Sequence, residues 1–364
     1  MIVGNILDYV DWRGDVSFDE APFNHVDNLI LALISYVKLK NIVPEAGKRA
    51  SITVQKAATE FFQNHNQDDL QKDESFVENT QLVLHKTAQS KRYGEARLCN
   101  YMDIFDEKKE VQFSAMHIML DDYTTYIAFR GTDDTLVGWK EDFNMAYQMP
   151  VPAQELAVKY LNDTVKNGVR KLRVGGHSKG GNLAVYGAMM CKETVQKRIL
   201  QIYNNDGPGF SKSVLQNPEY KRIKQRLVTI VPEGSIVGML LEHEKDFIIV
   251  KSDEQGIMQH DGLSWQVFVD DFVEAKELTE QSRQVSEHIS RWLATLDMQQ
   301  RKIFVDALYT VLKKTGVGKI SELTGESSSN HFRNMIALIK ELSGLEDEYR
   351  QKLMQFIKVL RNES

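Results

Sequence analysis

The tightest constraint on this chain is Gly176-His177-Ser178-Lys179-Gly180, a G-x-S-x-G pentapeptide. That spacing suits a nucleophile elbow, in which a serine sits on a sharp turn between a strand and a helix. The turn holds the serine backbone in a strained conformation, and flanking glycines leave room for it and for close helix packing. The flanks fit this demand. Residues 171–175 read as a short buried strand, and 180–191 as a helix whose Gly181, Ala184, Gly187 and Ala188 let it lie close to a sheet.

The rest of the chain supplies the sheet. Residues 1–95 read as mainly helical, with apolar stripes at Val26, Leu29, Ile30, Leu33 and Tyr36 and at Val54, Ala57, Ala58, Phe61 and Phe62. Near residue 96 the period changes: apolar runs on either side of Asp106-Glu-Lys-Lys109 predict a hairpin, and Thr124 to Arg130 predicts the next strand. An amphipathic segment with Leu156, Tyr160, Leu161 and Val165 reads as a crossover helix leading to the elbow strand. Three more β-rich runs follow, at 198–203, 226–231 and 246–251. Strands alternating with helices predict an α/β fold with a mainly parallel sheet. From Trp265 onward the sequence is read as helical, with a stripe at Val285, Ile289, Trp292 and Leu296 and another from Met335 to Leu342. The expected organisation is a helical N-terminal extension (1–95), an α/β core (96–265) and a helical C-terminal appendage (266–364).

Composition narrows the partners. A formal net charge of −6, with no basic cluster, argues against nucleic acid. The two cysteines, Cys99 and Cys191, are far apart and suggest neither a disulfide framework nor a metal site, and no cofactor motif is present. The N-terminus meets Asp8 and Asp11 before any long apolar run, so no signal peptide is expected. The longest apolar segment, Leu29 to Val37, is far shorter than the about 20 residues a membrane span needs. A cytoplasmic location is the expectation, with the helical tail available to pack against the core or a second copy of the chain.

A serine hydroxyl needs a base, normally a histidine oriented by a carboxylate. In the α/β-hydrolase order these follow the serine, acid first. Of the histidines beyond the elbow, His243 precedes a strand, and His288 and His331 belong to helical stripes. His260 lies in the loop leaving the last predicted strand, where the general base of such a fold is expected. Asp206, before a Gly-Pro-Gly turn, is placed first as the acid; Glu233 stays open as the alternative, and Asp261, beside the histidine, comes third. An oxyanion needs two donors. The backbone N–H of Lys179 is one candidate, and Thr132, with its N–H and hydroxyl, is the other.

Phe129-Arg-Gly-Thr132, then Trp139 and Asp142, then Gly-His-Ser-Lys-Gly, then Gly207-Pro-Gly-Phe210, resemble the class 3 lipase branch of the α/β hydrolases, and more closely a set of uncharacterised bacterial lipase-like proteins. The resemblance covers about residues 96–265. It implies an oxyanion-hole role for Thr132, the nucleophile role for Ser178 and hydrolysis of a small-molecule or lipid ester without a cofactor. Where the familiar lipases carry an aspartate, this chain has Pro232-Glu-Gly-Ser235, which leaves both Asp206 and Glu233 as candidate acids. The alternative expectation is a hydrolase-shaped binding or scaffold protein that interacts through its helical tail.

Overall fold

The computed structural model describes residues 3–64, 76–133, 135–166, 168–242, 246–314 and a few positions between 336 and 354, with 76–78 and 136 described by backbone alone. His243, His331 and, of the stripe from Met335 to Leu342, Met335 and Leu342 lie outside the described residues. The elements run α1 (Ile6–Arg13), α2 (His25–Ile34), β1 (Ile52–Thr53), α3 (Val54–Gln63), α4 (Phe76–Gln89), α5 (Lys91–Gly94), β2 (Arg97–Asp106), β3 (Val111–Met119), β4 (Thr124–Phe129), α6 (Leu136–Asn144) and α7 (Pro152–Thr164). After these come β5 (Lys171–His177), α8 (Lys179–Met190), α9 (Glu193–Gln196), β6 (Ile199–Asn205), α10 (Lys212–Leu215), α11 (Pro218–Ile223), β7 (Leu227–Pro232) and β8 (Ile248–Val250). The last described elements are β9 (Val267–Phe268), β10 (Asp271–Phe272), α12 (Glu280–Ala294) and α13 (Met298–Lys314).

Eight strands form one sheet in the order β1 to β8. The β1–β2 and β3–β4 pairs are antiparallel, whereas β4 through β8 pair in parallel. Strand β4 is buried along its whole length and β5 along most of its own, as expected of central parallel strands covered on both faces. The architecture is an α/β fold, a mainly parallel sheet flanked by helices, with further helical segments before and after it.

The chain divides into two compact units. The first comprises residues 1–105, 113–131 and 153–286 and carries most of the sheet. Its hydrophobic cluster joins Leu29, Ile30 and Leu33 of α2 and Val54, Ala57 and Phe61 of α3 to Tyr126, Ala128, Tyr203 and Ile230 of the sheet. Both N-terminal stripes are therefore core faces. Helix α2 goes further: every residue from Val26 to Ile34 is buried, so it is an internal helix rather than a surface one. Its start is fixed by a capping box, in which Asn24 accepts from the Asp27 N–H and Asp27 from the Asn24 N–H.

Asp27 has a second task. Its buried carboxylate accepts from Arg92 Nε at 2.7 Å, Arg92 Nη2 at 2.6 Å and Tyr93 Oη at 2.5 Å. The remaining Arg92 donors reach the carbonyls of Val16, Ser17, Ala21 and Pro22. One guanidinium thus organises the irregular segment between α1 and α2. Burial and the Asp27 charge push the Tyr9 and Tyr93 hydroxyls to higher pKa, so both remain neutral donors.

The stretch after Trp265 departs from the helical expectation. Residues 267–272 form the two-stranded hairpin β9–β10, with Phe268 opposite Asp271 across a two-residue turn and Val269 at φ 62°. Val267 and Phe272 face inward, and Val267 exchanges backbone hydrogen bonds with Gly4 at 3.1 and 2.7 Å. The residues of the stripe that predicted a helix, Val285, Ile289 and Trp292, do lie in α12, whereas Val267 and Phe272 enter the core cluster from strands. A second departure is β1, two residues of edge strand within the region read as helical.

The second unit comprises residues 106–112, 132–152 and 287–364. Helix α6 packs on α13, and Lys140 joins Glu110 at 2.7 Å to Asp306 at 3.1 Å. Among the described residues, no helix is long and apolar enough to cross a membrane.

Replacing Arg92 by Met should strand the Asp27 carboxylate and four carbonyls in the interior. Urea unfolding is expected to show a loss of about 3–5 kcal/mol, the cost of breaking a buried ion pair from one side.

Candidate active site

Strand β5 ends at His177 and helix α8 begins at Lys179, leaving Ser178 alone at the turn with φ 58° and ψ −134°. A non-glycine residue holds this backbone conformation only where its surroundings over-determine it. Two features do so. The Ser178 N–H donates to the Asn205 carbonyl on β6 at 2.9 Å, and its carbonyl accepts from Gly181 at 2.9 Å. The glycines allow the close approach: a Cβ on Gly176 would lie 2.3 Å from the Gly180 carbonyl carbon, and one on Gly180 only 2.1 Å from the Phe129 oxygen. The Ser178 side chain does not cap the helix it precedes.

Strand β6 carries Asp206 directly beyond its end. The Asp206 N–H donates to the Ile230 carbonyl at 2.8 Å, and its φ of 50° turns the chain out of the sheet. The turn is clamped from two sides. Asn204 bonds Gly207 in both directions, while Asn182 of α8 donates to the carbonyls of Pro208 and Gly209 at 3.0 Å. The Asp206 carboxylate is fully buried, a costly state without partners. It has two: Ser235 Oγ donates to Oδ1 at 2.5 Å, and His260 Nδ1 stands 2.6 Å from Oδ2.

The carboxylate can only accept, so the proton of neutral His260 sits on Nδ1 and leaves Nε2 as the basic nitrogen. His260 ends a short 3₁₀ segment, Gly256–His260, and its side chain is 22% exposed, open enough to meet a substrate. Neighbours hold this segment from outside. Gly234 N donates to Gln259 Oε1 at 2.7 Å, and Trp265 Nε1 donates to the Gln259 carbonyl at 2.9 Å. His177, next to Ser178, faces the His260 ring with centroids 4.6 Å apart.

The other candidates fall elsewhere. Among the described residues no hydrogen bond to the Glu233 carboxylate is found; its backbone N–H and carbonyl pair with Val250 and Thr279. Asp261 accepts from Leu263 N at 2.8 Å and caps the next turn; burial pushes its carboxyl up to about 6. His288 lies in α12. Thr132 belongs to the second unit, where its hydroxyl donates to Asp142 Oδ2 at 2.5 Å. That hydroxyl is thereby committed to Asp142. Lys179 is fully buried, and its N–H lies at the positive end of α8.

Ser235 and His177 were not singled out from the sequence as site residues. Ser235 follows β7, and its hydroxyl donates to the buried Asp206 carboxylate. His177 lies inside the pentapeptide itself. A further buried set lies beside Asp206, at the end of β6: Asn28 and Asn205 exchange amide hydrogen bonds at 2.7 and 3.2 Å, Asn205 donates to the Gly176 carbonyl at 3.0 Å, and Tyr126 donates to Asn28 at 2.8 Å.

Two substitutions probe this construction. Gly180→Ala should cost more than about 3 kcal/mol in urea unfolding or prevent folding, because the obstructing atoms are backbone, whereas Gly168→Ala, with neighbours at 3.8 Å, should stay within about 0.5 kcal/mol. A carboxyl whose folded pKa lies above its unfolded one is deprotonated more readily in the unfolded chain, so its penalty is absent in acid, grows as pH rises from the ordinary carboxyl range to about 6, and is constant above that. Asp261→Asn should therefore raise the melting temperature at pH 8 and leave it nearly unchanged at pH 4.

Solved structures similar to this chain include the M37 lipase, 15% identical over 60% of this chain and 70% of that one with a TM-score of 0.35. A fungal lipase in complex with an inhibitor, solved as a model for interfacial activation in lipases, is 19% identical over 56% and 78% with a TM-score of 0.34. No curated protein matches the chain. Residues 87–310, more than half of the 364, match the model of one family. The chain belongs to the Mbeg1-like family.

Proposed function

We propose that the chain is a serine hydrolase that cleaves carboxylic esters through an acyl-enzyme. The observation that carries this reading is the strained Ser178 backbone at a strand–helix elbow, in the same compact unit as the buried Asp206–His260 pair. In the proposed reaction Ser178 Oγ attacks the ester carbonyl carbon while His260 Nε2 takes the hydroxyl proton. The carbonyl electron pair moves onto oxygen, and the N–H groups of Lys179 and Thr132 are the proposed donors to it. Collapse of this intermediate expels the alcohol, which takes its proton from His260. Water, deprotonated by the same nitrogen, then attacks the acyl-enzyme and returns free Ser178 and the carboxylic acid. Asp206 holds His260 in the productive tautomer and stabilises the imidazolium that forms twice per cycle. Ser235 keeps one oxygen of Asp206 occupied, so that the other is aimed at the histidine.

The test is covalent labelling by a fluorophosphonate probe together with turnover of p-nitrophenyl esters of increasing chain length, run beside peptide and thioester substrates. Wild type should label, and Ser178→Ala and His260→Ala should not. Asp206→Asn should lower kcat on the order of 10⁴-fold by trapping the wrong histidine tautomer. Glu233→Gln should remain near wild type. Absence of labelling in wild-type protein would discard the hydrolase reading in favour of a binding role. Equal losses in the two acid variants would discard Asp206 as the acid.

A further inference from the structure

We infer that His177, held by Tyr36, is a positioning residue that fixes the main chain of His260 for the proposed hydrolysis; this rests on the reading above. His177 is the middle residue of the pentapeptide, at 1% exposure, and its ring is hydrogen-bonded at both nitrogens. Nε2 stands 2.8 Å from the His260 carbonyl oxygen and Nδ1 stands 3.1 Å from the Tyr36 hydroxyl. A carbonyl only accepts, so Nε2 carries the proton. A neutral imidazole has one N–H, which leaves Nδ1 as an acceptor and makes Tyr36 the donor to it, its single proton shared with the His177 carbonyl 3.2 Å away. The order is Tyr36 O–H to His177 Nδ1, then His177 Nε2–H to the His260 carbonyl.

Burial and the neighbouring His260 hold the His177 pKa well below the ordinary histidine range. The ring therefore stays neutral when His260 becomes an imidazolium beside it, and the direction of both hydrogen bonds survives the proton transfer. His260 sits in a short 3₁₀ segment outside the sheet; Gly234 and Trp265 tether that segment at Gln259, and Asp206 restrains the His260 imidazole. His177 restrains its backbone, from the residue adjacent to Ser178. Nucleophile and base are thereby referred to a common anchor, where small misplacement is expensive. Tyr36 ties that anchor to the segment after α2, and Gly131 makes room for its hydroxyl, since a Cβ there would fall 2.0 Å from it.

The test compares His177→Phe, which keeps a ring and removes the donor, with His177→Gln, whose amide nitrogen can occupy the Nε2 position, and with Tyr36→Phe. For a p-nitrophenyl ester, His177→Phe should lower kcat about 10- to 100-fold at nearly unchanged KM. His177→Gln should recover most of the loss, and Tyr36→Phe should lose less. A second readout does not depend on turnover: the low-field proton resonance of the His260 Nδ1–H bonded to Asp206, recorded in a Ser178→Ala background. It should be sharp with His177, broadened or lost in His177→Phe, and retained in His177→Gln.

Unchanged kcat and an unchanged resonance in His177→Phe would overturn the inference while leaving the hydrolase reading intact. Equal impairment of His177→Phe and His177→Gln would also overturn it, by reducing His177 to a packing residue. A wild-type protein inert toward every ester, whose resonance still depends on residue 177, would sink the hydrolase reading and keep the positional role. If His177→Phe does not fold, Tyr36→Phe decides: a resonance and kcat identical to wild type would overturn the inference.

Discussion

The first unit is built around the close approach of three backbones where β4, β5 and the start of α8 meet. Phe129 O, Gly176 and Gly180 converge within distances that leave no space for a side chain. Only this convergence lets the chain leave β5 and enter α8 across one residue. The left-handed backbone of Ser178 is the geometric result, and the sheet hydrogen bonds on either side keep it from relaxing. The strain is local, and the support is distributed over strands that each bury a full apolar face.

Around that point lies a layer of buried polar groups that are satisfied in closed sets. Asn28 and Asn205 bond each other's amides, Asn204 and Asn182 clamp the Gly-Pro-Gly turn, and Ser235 and His260 share Asp206. A half-satisfied set of this kind would cost more than an apolar core, whereas a complete one specifies a single arrangement. Helix α12 contributes as well. Ser282 donates to the Ser235 carbonyl and Ser286 to the Met239 carbonyl at 3.2 Å, so the loop behind the acid is held from the far end of the unit.

What could be read in the sequence was what local pattern encodes. The elbow, the parallel strands and the helical stripes of α2 and α3 each repeat at a period set by the backbone. The meeting of Asp206, beyond one strand, with His260 on a later loop is encoded only by the fold, so the sequence could rank Asp206 above Glu233 on chemistry and position but could not show which of them reaches the histidine. The role of Ser235 was hidden for the same reason: its partner is 29 residues away and on another strand end. The misread segment after Trp265 shows the opposite limit. Short apolar runs fit two periods equally well, and the pairing of Val267 with Gly4, from the far end of the chain, settles the matter in favour of strands.

That pairing has a kinetic meaning. Gly4 and Val267 are joined by two backbone hydrogen bonds, Trp12 donates to Val269 at 2.9 Å, and Asn28 reaches across 177 residues to Asn205. Contacts of such sequence separation carry a loop-closure cost before they return any stability. During synthesis the N-terminal helices emerge long before the strand ends they must cover. Their apolar faces are covered only once the later strands and the loop that leads into Trp265 and the hairpin have been made. The Ser178 turn is thus synthesised before the loop that carries His260.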